Sequence, residues 1–434
     1  MKQSSSTLIT SSRLSKKTRP TKIIMNIAVL LLLTLSQVNQ VEADWELVTN
    51  SAQFSPRDTA EGVVFDGKMW LSNGWDPSNV PVRDLWYSVD GANWTLAMGD
   101  TPYDSWSEMV VYQNKIWAVR ESVWNSPDGN TWTQVLDKTP FGNRPYGELV
   151  VLQDKMWQLG SGADVWNTTD GVNWGQVLAA APFGTRYATA TTAFNGKLWL
   201  MGGTLPVLGQ SPAAYPSIIT QNDVWCSDDG INWVRVLEHA PWSPRMWSVA
   251  TVYAGKLWII GGYDNDSQNL GDVWYTEDGT TWYELKSNEV FEPRHEVTPY
   301  VYNGSLWVVA GNTWPVKNDV WRLTIPAQVT PGSLNFGYVP VGSTKDLSLT
   351  VKNIGVETLT GTATTDAPFR IVSGGSYNLK PDENQVVIIQ YQPTSQGPHT
   401  GTIAFTGGGG ATVQVTGETE KSLGLPWLQL LLGD

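Results

Sequence analysis

Five copies of one pattern, Asp-Gly-x-x-Trp, run down this chain at residues 90–94, 128–132, 170–174, 229–233 and 278–282. Asp-Gly is a tight-turn dipeptide, because Gly accepts positive φ and Asp bonds its own backbone nearby. A Trp just beyond each turn places a large ring at the same point of every repeat. Such repetition predicts an array of β-hairpins stacked side by side.

The repeat extends upstream. Eight positions before each of those Trp stands another: Trp86, Trp124, Trp166, Trp225 and Trp274, three of them in Asp-Val-Trp. Further upstream a third Trp stands in an apolar run after a small turn, giving Trp70, Trp117, Trp157, Trp199, Trp258 and Trp307. Their steps are 47, 40, 42, 59 and 49 residues, close to the roughly 40–50 of a four-stranded propeller blade. Thirteen residues before each of these six Trp comes Arg57, Asp104, Arg144, Arg186, Arg245 or Arg294. A run of β-rich residues follows it, so each repeat reads as four strands with period-two alternation.

The sixth repeat lacks its last strand: Trp321 has no Asp-Gly-x-x-Trp after it. Residues 44–48, around Trp45, match the missing piece. A ring of sheets has exposed edges at its seam unless the chain ends pair there. The fold class expected is therefore all-β: a six-bladed β-propeller closed by an N-terminal strand over residues 44–325, followed by an immunoglobulin-like β-sandwich.

On these residues the repeat resembles the Kelch motif, with Gly202-Gly203 and Gly261-Gly262 as that family's glycine pair. Its turns also resemble the Asp-boxes of sialidase-type propellers, one residue short. Beyond residue 326 Trp nearly vanishes and Thr, Val, Gly and Ser rise. Leu334-Asn335-Phe336-Gly337, Val351-Lys352-Asn353-Ile354-Gly355 and Tyr391-Gln392-Pro393 resemble the ASH family, which implies a spacer or binding module over residues 326–418.

Residues 1–43 read as a secretory signal peptide: a basic stretch, a short apolar core and small residues before a cut, with Met25 an alternative start to Met1. An uncleaved anchor is the other reading of that segment. The expected location is extracytoplasmic, in a periplasm or at a bacterial cell surface, with no transmembrane span after cleavage. Without the leader the formal charge falls from −13 to about −18, which excludes nucleic acid as a partner. Cys226 is the lone cysteine, expected as a small buried hydrophobe. The tail, residues 419–434, is apolar and shorter than the ~20 residues a span needs.

The candidate ligand site is the central channel. The position at the start of the innermost strands supplies Arg57, Arg144, Arg186, Arg245 and Arg294; four residues on stand Glu61, Glu108 and Glu148 in the first three blades. Trp106 marks the ambiguous register of blade two, and Trp247 is one of five Trp outside the repeat register, with Trp75, Trp242 and Trp314. The arginines carry two readings: brackets that bond backbone of the next blade, or a polar pocket for a protein or glycan ligand, an anionic one included, since the guanidinium fork matches carboxylates. Residues 204–221 are a long insertion in a position to cover one face. No catalytic constellation, cofactor site or metal-ligand set is singled out. Galactose-oxidase-like proteins join Kelch blades to an immunoglobulin-like module. Their copper chemistry needs two His and a Cys–Tyr crosslink, which His239, His295, His399 and Cys226 do not supply. The function expected is a secreted binding or scaffold protein; the alternative is a carbohydrate-active propeller of sialidase or sialic-acid mutarotase type.

Overall fold

A computed structural model describes residues 43, 45–78, 80–206, 219–355, 358–407 and 411–419. Residues 1–42 of the leader, Asp44, most of the long insertion and residues 420–434 of the apolar tail lie outside the described residues. Among the described residues all regular structure is strand, and no helix there is long and apolar enough to cross a membrane.

Residues 45–323 form six antiparallel sheets built on four-strand paths among the described residues. In the first, Glu61–Phe65 pairs Lys68–Trp75, which pairs Pro81–Ser88, which pairs Trp94–Met98. The innermost strands of successive sheets touch: Glu61–Phe65, Glu108–Tyr112, Gly147–Leu152, Ala190–Phe194, Val249–Tyr253 and Thr298–Tyr302. The last touches the first, so the circle closes. The seam is shut by Trp45–Thr49, which pairs antiparallel with Val320–Leu323. Trp45 meets Phe291 edge-on at 5.0 Å, as Trp174 meets Phe141 and Trp233 meets Phe183 at the same distance. Trp45 thus fills the place of the closing Trp that the sixth repeat lacks.

The turn motif is self-consistent. In blade one Asp90 Oδ1 accepts the Ala92 and Asn93 amides at 2.9 and 2.8 Å, and Ser88 Oγ accepts the Gly91 amide at 2.8 Å. The later turns repeat this. Amide donation from Asn173 and Asn232 holds Asp170 and Asp229 down at about 2.

Residues 327–418 form two packed sheets, one of four strands and one of five. Phe336, Phe369 and Tyr391 stack between them over Val387, Ile389 and Ile403. This is the sandwich architecture expected of alternating apolar strands.

Candidate functional site

Each of the five arginines runs back into its own blade. Arg57 forks onto both oxygens of Asp84 at 2.5 and 3.0 Å and donates to the Asn73 carbonyl at 2.8 Å. Arg144 grips Asp164, Arg186 grips Asp223, Arg245 grips Asp272 and Arg294 grips Asp319, each through two hydrogen bonds of 2.5–3.0 Å. The same Asp accepts the indole N–H two residues on, at Trp86, Trp166, Trp225, Trp274 and Trp321. Burial pushes the carboxyls of Asp164, Asp223 and Asp272 up, and the arginine bonds outweigh it, leaving them below their ordinary value. Blade two keeps only the Trp of the triangle: Asp104 replaces the Arg, and Ser122 replaces the Asp, its Oγ accepting Trp124 Nε1 at 3.0 Å. The guanidinium groups therefore bracket strands within a blade and do not line the channel; the arginines reach the neighbouring blade only through their backbone, as where Gly311 N donates to Arg57 O at 3.0 Å.

That placement corrects the channel-lining reading of Arg57, Arg144, Arg186, Arg245 and Arg294, and with it the basis for an anionic ligand. Both forks of the guanidinium are spent on a partner carboxylate, and four of the five arginines are almost fully buried.

The channel is walled instead by the positions two and four residues after the Arg. They are Thr59, Trp106, Tyr146, Ala188, Trp247 and Glu296 in one tier, and Glu61, Glu108, Glu148, Ala190, Val249 and Thr298 in the next. All twelve line one cavity of about 570 Å³, within the size of small-ligand sites. The first tier is aimed inward by backbone strain. Thr59, Tyr146, Ala188, Trp247 and Glu296 have φ between 51° and 58°, a region that costs a non-Gly residue about 1–3 kcal/mol and clusters at functional sites. The strained residues also bond across blades: Trp247 N donates to Ala188 O at 3.1 Å, and Glu296 N to Trp247 O at 2.9 Å.

The wall has two faces. Glu296, Glu61, Glu108 and Glu148 span blades six, one, two and three, while Ala188, Ala190, Val249 and Trp247 face them from blades four and five. Burial, offset by hydrogen bonds from the Met109 backbone and the Glu108 carboxyl, pushes Glu61 up to about 7. Burial first, and the charges of Glu61 and Glu148 second, hold Glu108 well above the carboxylate range; Arg120 opposes this in part. Glu148 and Glu296 are raised in the same way. Arg120 itself lies over Trp106 at 4.5 Å. Trp106 Nε1 has no hydrogen-bond partner among the described residues.

Of the sequence candidates the structure thus gathers Glu61, Trp106, Glu108, Glu148 and Trp247. Sequence reasoning missed Tyr146 and Glu296. The signal was available: alternation makes the second residue after the Arg share a face with the fourth, and only the fourth was compared across repeats. Trp75 packs on Trp106 at 5.1 Å, Trp242 is core, and Trp314 is exposed. The three histidines are dispersed: His239 contacts Asn222, His399 contacts Tyr391, and His295 lies behind Glu296.

Against known families, the model described as "DUF6242 beta propeller domain" matches residues 42–327, more than half of the chain. The model of ASH, "Abnormal spindle-like microcephaly-assoc'd, ASPM-SPD-2-Hydin", matches residues 323–415. No match to the curated proteins was found.

Proposed function

The chain belongs to the family of the DUF6242 beta propeller domain, and from that premise we propose that it is a ligand-binding protein whose propeller seats the end of a neutral or amino-bearing glycan in its central cavity. The observation that carries this reading is the divided wall. Four carboxyls offer acceptors for hydroxyl or ammonium groups, and Trp247, Ala188, Ala190 and Val249 offer an apolar face for a sugar ring. The unpartnered Trp106 N–H adds a donor. The ASH-type sandwich acts as a spacer, and the N-terminal leader pattern supports a location outside the cytoplasm, at the cell envelope. The glycine pairs and the repeating Arg–Asp–Trp triangle support counting the blades as Kelch-type.

Binding is favoured over glycoside hydrolysis. Glu61 and Glu108 are within hydrogen-bonding reach of each other, closer than the roughly 5–9.5 Å that flanks a scissile bond. A sialic-acid activity loses its carboxylate anchor, because the five repeat arginines are committed elsewhere.

A glycan array probed with the mature protein tests this. Neutral or amino-sugar glycans should be retained, and Glu108→Gln or Trp247→Ala should abolish retention while the melting transition persists. Retention of sialylated glycans alone, or of none, would sink the reading.

A further inference from the structure

We infer that Asp58, His295 and Glu296 form a binding site for a divalent first-row transition-metal ion at the edge of the central cavity. One donor atom from each lies within 4.8 Å of the other two. Ligands at about 2.0–2.2 Å from a common ion stand at most about 4.4 Å apart, so small side-chain rotations bring the three onto one centre. An imidazole with two carboxylates suits Zn²⁺ or Mn²⁺.

The tautomer of the histidine suits this role. Asn269 Nδ2 donates to the Asn312 carbonyl at 3.1 Å, which turns Asn269 Oδ1 toward His295 Nδ1 at 2.6 Å. Nδ1 therefore carries the hydrogen and Nε2 keeps its lone pair, as outer-shell partners of metal-ligating histidines arrange. Nε2 has no hydrogen-bond partner among the described residues. The ring is 2% exposed, stacked on Trp247 at 5.0 Å and flanked by Trp314 at 5.4 Å.

The carboxyl groups are held by hydrogen bonds and not by a cation. Asn312 Nδ2 donates to Asp58 Oδ2 at 2.7 Å. Thr59 Oγ1 lies 3.1 Å from Asp58 Oδ1 and 2.9 Å from Glu296 Oε2. One hydroxyl hydrogen satisfies one of these, not both. No lysine or arginine among the described residues pairs with either acid. A buried acid, Asp58, and a half-buried one, Glu296, beside a lone-pair nitrogen, with no cation, are what a bound metal ion would complete. Glu296 also lines the cavity, so coordination positions not taken by protein open toward a ligand there. The inference stands independently of the glycan reading.

The test is calorimetric titration of the chelator-treated mature protein with ZnCl₂ and MnCl₂, with MgCl₂ as control. One ion per chain is expected. Asp58→Asn and Glu296→Gln, both isosteric, should each weaken binding by about tenfold or more; Glu148→Gln, across the cavity, should leave it unchanged. Zinc-soaked wild-type crystals should show an anomalous peak between the three residues. Failure of the wild type to bind either ion saturably, equal affinity in the Asn and Gln variants, or a peak only elsewhere would overturn the inference.

Discussion

A Cβ atom placed on Gly129 would stand 2.3 Å from Cη2 of Trp70, a residue of the preceding blade. The relationship recurs around the ring: Gly91 against Trp307, Gly171 against Trp117, Gly230 against Trp157 and Gly279 against Trp199. The Gly of each Asp-Gly-x-x-Trp turn is the socket for the Trp of the neighbouring sheet. Its φ of 71–78° suits the turn, and its missing side chain admits the ring. Two parts of the repeat that are far apart in sequence are thus one interlock.

Gly129→Ala should therefore destabilise the propeller by about 2–4 kcal/mol, combining overpacking with a strained φ. Chemical denaturation of the variant checks this. An Ala at Gly142, also left-handed but with open space around it, should cost only the strain, about 1 kcal/mol.

Removing one member of an Arg–Asp–Trp triangle should cost more than an ordinary surface ion pair. Arg186→Met strands Asp223, which is itself buried, and the expected loss is about 3–5 kcal/mol. Arg186→Lys should recover only part, since an ammonium cannot make both bonds at 2.7 and 3.0 Å. Urea midpoints of the three proteins decide it.

Deleting residues 45–49 should lower the melting temperature sharply and promote association, because it exposes the edge of Val320–Leu323. An unchanged melting curve would show that the ring does not need this strand.

Stability should depend on pH through the channel carboxyls. Glu61 titrates at about 7 when folded against 4.5 as its ordinary value, so the folded state binds its proton more tightly. Its contribution is complete below pH 4.5 and is lost as pH rises through 7, a change on the order of 2 kcal/mol once contact with cavity water is allowed for. Glu108, Glu148 and Glu296 face the same space and act in the same direction, with Arg120 opposing them at Glu108. Glu61→Gln should flatten the fall in stability between pH 4.5 and about 7; an equally steep curve would show that this carboxyl is not the titrating group.

Much of the architecture was readable from spacing alone. Trp70 to Trp307 recur at blade intervals, and Trp45 matches the strand missing after Trp321, because strand length, turn chemistry and the aromatic payload of each sheet are local properties repeated along the chain. The site was half readable. Glu61, Glu108 and Glu148 stood out by register, and the partial reading came from treating the arginines as their companions.

What the sequence determined by itself is the list of strands, their period and the closing of the circle, all encoded in short-range alternation and turns. What only the tertiary structure decided is where charge goes. Arg57 and Asp84 are 27 residues apart and meet on the third strand of a blade; Glu296 and Asp58, 238 residues apart, meet across the seam. Whether a long cationic side chain faces the axis or its own sheet depends on which carboxylate lies within its reach, and that distance exists only once the sheets are packed.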